Sequence, residues 1–91
     1  MESAEKELAD WRAKIDVIDE QIVKLISERA AAANAIGEVK HRNGMAVYEP
    51  GREKTVIEHV CRVNPGPLPN EEMAHIYERL MDVMRALQKK S

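Results

Sequence analysis

The sequence predicts an all-α fold of three helices, one long and two shorter. Three observations carry this. Apolar residues recur at a 3,4 spacing through most of the chain, which lines up one face of a helix. Nowhere do they alternate in the manner of a half-buried strand. Clusters of structure-breaking residues fall at Asn43-Gly44, Pro50-Gly51 and Asn64-Pro65-Gly66-Pro67-Leu68-Pro69. These cut the chain into segments at about 3–42, 50–63 and 70–89.

In the first segment Leu8, Trp11, Ile15, Ile18, Ile22 and Leu25, then Ala32, Ile36 and Val39, hold the spacing without a slip. This is the a/d seam of a helix that packs on another helix. Ser3 is the expected N-cap, with Glu5 in the positive first turn. Gly44 follows Lys40, His41 and Arg42 and is the expected C′ residue. The second segment starts at Pro50, a good first helical residue after Glu49, and carries Val56, Ile57, Val60 and Val63 on one side. The third starts at Asn70, an expected N-cap followed by Glu71 and Glu72. Its stripe is Met73, Ile76, Leu80, Val83 and Leu87, widened by Tyr77, Met81 and Met84.

The 91 residues make one domain, 1–91, and a compact domain of that size is roughly 30 Å across. A helix over 3–42 is about 60 Å long. Two shorter helices cannot cover such a seam, so a second copy of the chain is expected to, giving an intertwined helical homodimer with the long helices paired or crossed. The alternative is a first helix that breaks near Ala31–Asn34 and folds back, although neither Pro nor Gly sits there.

Composition removes several function classes. With 14 Lys+Arg against 16 Asp+Glu the net charge is -2, which argues against nucleic acid as a partner. No apolar run follows Met1, so neither a signal peptide nor a membrane span is expected, and the predicted compartment is the cytoplasm. The single Cys61 excludes an intrachain disulfide and a Cys-rich zinc site, and beside Val60 and Val63 it reads as a buried, inert thiol. His41, His59 and His75 fall on separate elements, so no metal site is expected. Aromatic residues make up only 3% and Phe is absent, which leaves Ile, Val, Leu, Met and Ala to supply buried area that aromatics usually provide.

The candidates for chemistry are the residues that interrupt the pattern. Continuing 8, 11, 15, 18, 22, 25 reaches 29, and residue 29 is Arg. A cation on an apolar seam needs an anionic partner, either a carboxylate from a neighbouring helix or a ligand. Lys40 lies eleven residues on, three turns and about 20° of rotation away, so it faces the same way at about 16 Å along the axis. Gly37 and the alanines at 30–33 keep the wall between the two cations shallow. Lys40 is also placed to interact with the helix dipole. Arg12, about 26 Å before Arg29 along the axis and on another face, either is solvated beside Trp11 or completes the site of a partner chain. Glu53, inward with Val56, Ile57 and Val60, either accepts a hydroxyl hydrogen bond from a ligand or pairs with Arg29. Gln88 is either a neutral donor at the end of the third stripe or solvated. Several cations, one or two carboxylates, an amide and no obvious nucleophile suit the positioning of a dianion and stabilisation of developing charge rather than covalent catalysis.

An ordered set of short matches runs through nearly the whole chain. It comprises Arg12-x-x-Ile15-Asp16-x-Ile18-Asp19, Glu28-Arg29, Ile36-Gly37-x-x-Lys40, Glu49-x-x-Arg52-Glu53, Gly66-Pro67-Leu68, Ile76-Tyr77-x-x-Leu80-Met81 and Ala86-Leu87-Gln88. In these the chain resembles the all-helical class of chorismate mutase. The resemblance implies an intertwined dimer with two sites, each converting chorismate to prephenate by a cofactor-free Claisen rearrangement in phenylalanine and tyrosine biosynthesis. By the same resemblance Arg29 binds one substrate carboxylate, and Arg12 of the other subunit the second. Lys40 and Gln88 donate to the ether oxygen, and Glu53 accepts from the ring hydroxyl. Arg52 and Glu49 line the pocket, Glu49 standing where the family often has Asp. Met84 stands where relatives often carry Ser, and it cannot donate the hydrogen bond Ser makes to a carboxylate. The rival readings are an isochorismate-pyruvate lyase on the same fold, a catalytically silent dimerisation or regulatory module, and a simple coiled-coil interaction domain.

Overall fold

The computed structural model describes residues 3–90. They form three helices, α1 (Ala4–Arg42), α2 (Pro50–Val63) and α3 (Asn70–Lys90), with no strand among the described residues. The expected all-α class and the expected segment limits hold to within a residue at each end. The chain divides between Ala31 and Ala32 into two units.

The first unit is the N-terminal part of α1. The Ser3 hydroxyl accepts the Lys6 N–H at 3.1 Å, and the Ser3 carbonyl accepts the Glu7 N–H, so Ser3 is the N-cap. Lys6 pairs with Asp10 one turn on, at 3.2 Å. The seam residues Leu8, Trp11, Ile15, Ile18, Ile22 and Leu25 are each between 42% and 63% exposed. Val17, Val23 and Ile26 are exposed as well. Solvation of so long an apolar stripe is unfavourable. The helix is continuous through Ala31–Asn34, so the fold-back alternative does not occur.

The second unit holds the end of α1, α2, α3 and the two connections. Gly44 has φ +63°, and the Gly44 and Met45 N–H groups bond to the His41 and Lys40 carbonyls. These are the paired 5→2 and 6→1 bonds of a Schellman stop, which needs a left-handed residue at C′. α2 begins at Pro50, whose missing N–H is one that would have no helical partner anyway. The expected Asn70 N-cap is corrected by the structure. The Pro69 carbonyl accepts from Glu72 and Met73, so Asn70 is the first helical residue. Its Oδ1 instead accepts from Asn64 Nδ2 at 2.8 Å, while the same amide nitrogen donates to the Leu68 carbonyl. Asn64 thus ties the α2–α3 connection together through its side chain.

α2 packs on α3. Val56, Val60 and Met81 form the buried cluster, with Ile57, Met73 and Tyr77 against it. Met84 and Ala33 are also buried, and no described side chain is completely shielded. On the α1 segment of this unit the buried positions are Ala33, Gly37 and Lys40, an i, i+4, i+7 line. Ile36 and Val39, read from sequence as the continuation of the seam, are exposed. Two small residues let backbone approach closely, and the third position puts an ammonium group inside. Cys61, expected to be buried, is half-buried, and its thiol lies 3.7 Å from the Asn70 carbonyl.

Candidate active site

Lys40 is the one buried charged residue among those described, 6% exposed. Burying an ammonium group is unfavourable unless its donors are matched. Here Lys40 Nζ donates to the Val47 carbonyl at 2.7 Å and to Gln88 Oε1 at 3.0 Å, and Glu49 Oε1 lies 2.7 Å away. The Schellman stop at Gly44 turns the chain so that residues 45–49 pass back over Lys40. The last turn of α3 supplies Gln88. Since an ammonium can only donate, the Gln88 amide must turn its oxygen to Lys40, which leaves its NH₂ to donate elsewhere. The Gln88 backbone carbonyl accepts from His41 Nε2 at 2.8 Å, so the proton sits on that ring nitrogen and the end of α3 is held to the end of α1.

A second cluster joins α2 to α3. Arg85 Nε donates to Glu53 Oε2 at 3.1 Å, and Arg85 Nη2 lies 2.9 Å from Glu53 Oε1 and 2.7 Å from Oε2. Arg85 also contacts Asp82 at 3.3 Å, and its guanidinium carbon lies 4.7 Å from the centre of the Tyr48 ring. The hydrogen bond to Glu53 holds the Arg85 guanidinium above its ordinary pKa, against a smaller opposing effect of desolvation. Of the two fates read for Glu53 from sequence, pairing with a cation is realised, but the cation is Arg85.

The structure therefore brings Lys40, Glu49 and Gln88 into contact and sets Glu53 on Arg85. Arg52 is exposed on the first turn of α2, and Met84 is 3% exposed on α3. Arg12 and Arg29 belong to the other unit, where Arg12 is exposed and Arg29 half-buried. Arg85, Tyr48 and His41 were missed by sequence reading. The signal for Arg85 was present: it stands between Met81 and Gln88 at helical spacing, a cation interrupting an apolar stripe just as Arg29 does. Among the described residues no group of three His, Cys, Asp or Glu side chains is arranged to hold a metal ion.

This arrangement can hold an anionic, hydroxyl-bearing ligand by hydrogen bonds and charge. Residues 11–89 match the family described as chorismate mutase type II. The chain belongs to the type II chorismate mutase family. Among its relatives, the bifunctional chorismate mutase/prephenate dehydratase of Aquifex aeolicus is 37% identical over 89 residues, covering 93% of this chain and 25% of that protein. The chorismate mutase of Methanocaldococcus jannaschii is 34% identical over 85 residues, covering 92% of this chain and 86% of that one. The chain thus spans about a quarter of the bifunctional relatives and most of the monofunctional one. Among solved structures, chorismate mutase form II from Thermus thermophilus superimposes with a TM-score of 0.91 at 25% identity, covering 93% of this chain and 97% of that one. A Helicobacter pylori chorismate mutase solved with prephenate gives 0.85 at 24% identity, over 93% of this chain and 92% of that one. The expected family and the three-helix architecture are both confirmed.

Proposed function

We propose that this chain is a chorismate mutase, rearranging chorismate to prephenate within the route to phenylalanine and tyrosine. The observation that carries this reading is the buried Lys40 ammonium in contact with Gln88, in a chain whose residues 11–89 match the family. The reaction is unimolecular: one C–O bond breaks as one C–C bond forms. It needs neither acid, base nor nucleophile. What the protein supplies is a folded substrate conformer and stabilisation of the negative charge that grows on the ether oxygen.

Each residue has a part in this reading. Lys40 and the Gln88 NH₂ donate to the ether oxygen. The Val47 carbonyl and Gln88 Oε1 take two of the Lys40 protons and aim the third, for which substrate competes with the exposed Glu49. These donors are in place before the reaction, so little reorganisation accompanies charge development. Arg29 binds one carboxylate of the dianion, and Arg12 of a second subunit the other. Glu53 accepts from the ring hydroxyl, while Arg52, Glu49 and Met84 line the pocket. Met84 supplies an apolar wall and no donor, which leaves the carboxylate at that end to the arginines.

The working form is a homodimer in which the exposed seam of α1 is covered by the second copy, and the whole chain acts as one domain. The substrate and the second copy are its partners, with no cofactor, in the cytoplasm, where a free thiol such as Cys61 stays reduced. The test is to supply purified protein with chorismate and, separately, isochorismate. Prephenate from chorismate is the expected product. Salicylate and pyruvate from isochorismate identify a lyase on this fold instead, and no turnover of either identifies a silent module.

A further inference from the structure

We propose that Arg85, backed by the ring of Tyr48, is a positioning residue for Glu53, fixing the carboxylate that accepts the substrate's ring hydroxyl. The proposal rests on the mutase reading and extends it to a residue outside the ligand set given above.

The geometry is that of a fork on a carboxylate. Nε and Nη2 of Arg85 meet the two Glu53 oxygens at 2.7–3.1 Å. Two parallel charged hydrogen bonds set the plane of the carboxylate as well as its place. The bonds are unequal in number. Oε2 receives both Nε and Nη2, whereas Oε1 receives Nη2 alone. A carboxylate oxygen accepts about two hydrogen bonds. Oε1 thus keeps one acceptor direction, and its bearing is fixed by the fork. A carboxylate held this way can accept a hydrogen bond from a hydroxyl but cannot swing.

Arg85 is itself held. Tyr48 stacks on the guanidinium at 4.7 Å and Asp82 meets it at 3.3 Å. A planar guanidinium favours an aromatic face, and an ammonium cannot reproduce the arrangement. Tyr48 lies in the same connection whose Val47 carbonyl binds Lys40. One short segment therefore supports both the donor to the ether oxygen and the brace behind the hydroxyl acceptor. A side chain that merely tied α2 to α3 would contribute to stability and be indifferent to which groups the substrate carries. A positioning residue would matter only when the hydroxyl is there.

That difference is the test. Steady-state kcat and KM are measured for chorismate and for a chorismate analogue lacking the ring hydroxyl. The enzymes are wild type, Arg85→Gln, Arg85→Lys, Tyr48→Leu, Tyr48→Phe and Glu53→Gln, with thermal melting as a check on folding. Arg85→Gln is expected to lower kcat/KM for chorismate about ten- to hundredfold, as for loss of charged hydrogen bonds, and to leave the analogue's value unchanged. Arg85→Lys keeps the charge without the fork and restores only part of the loss. Tyr48→Leu shows the same substrate-selective loss to a smaller degree, and Tyr48→Phe behaves as wild type. In the Glu53→Gln background, removing Arg85 has no further selective effect. Equal losses on both substrates, or full activity of Arg85→Gln on chorismate, overturn the proposal. Should Arg85→Gln fail to fold, Tyr48→Leu, at an exposed position, carries the same comparison. Wild-type protein that does not turn over chorismate overturns the mutase reading and this proposal with it, and is seen before any variant is made.

Discussion

In the proposed mechanism Lys40 is the residue on which the chemistry turns. An ammonium this shielded, with three oxygen neighbours, is a preorganised donor, and its removal leaves Gln88 and Glu49 without the charge that arranges them. Lys40→Ala is expected to lower kcat by about a hundredfold or more, as for loss of a preorganised donor to a developing oxyanion, with sedimentation unchanged. Lys40→Arg does not rescue, because a planar fork replaces a compact point donor. Arg29→Ala is expected to give a loss of the same order, through the substrate carboxylate assigned to it in the proposed mechanism. Folded dimers with near-normal turnover would remove both residues from the mechanism. The positions of these cations were legible in the sequence, since Arg29 interrupts a seam and Lys40 shares its face. The oxygen partners of Lys40 were not legible: Val47 offers a backbone carbonyl, which carries no residue identity, and Gln88 lies 48 positions away.

At the scale of the elements, the stop at the end of α1 positions the site. Gly44 at φ +63° turns residues 45–49 back over Lys40, with open space around its missing Cβ. Substituting Gly44→Ala meets no clash but strains the backbone, and is expected to destabilise the fold by about 1 kcal/mol, measured by chemical denaturation. Because the segment beyond it carries Val47, Tyr48 and Glu49, the same variant raises KM even where the protein stays folded. An unchanged midpoint and KM would show that the turn is not held by its left-handed residue. Helix limits were readable because Ser3, Gly44 and Pro50 act through their own backbone neighbours. Asn70 misled for the same reason in reverse: its side chain was drawn to Asn64 in the preceding turn, a contact between positions whose approach depends on the loop's course.

At the scale of the whole molecule, the described residues bury little. Its core is a handful of valines, methionines and one alanine, and the apolar face of α1 is open along its length. In the proposed homodimer a second copy laid on that face supplies the missing burial. Equilibrium sedimentation is expected to show a dimer at micromolar concentration, with a melting temperature that rises with protein concentration by mass action. Ile22→Glu, a charge placed on the open face, is expected to give a monomer with little activity, because the site proposed to be shared through Arg12 is then incomplete. A stable, fully active monomer at the same concentration would overturn both the dimer and the shared site.

The sequence by itself determined the three helices, their ends, the family and the positions of the cations, because helical periodicity and capping are local and show in spacings of a few residues. Only the tertiary structure decided which oxygens Lys40 and Arg85 meet. It turned the Ala33–Gly37–Lys40 line inward in place of the larger Ile36 and Val39, and it gave Glu53 to Arg85. The physical reason is that a charge is satisfied by whichever acceptor the packing of distant segments brings within about 3 Å, and spacing along one helix holds no information about the turn, loop or neighbouring helix that supplies it.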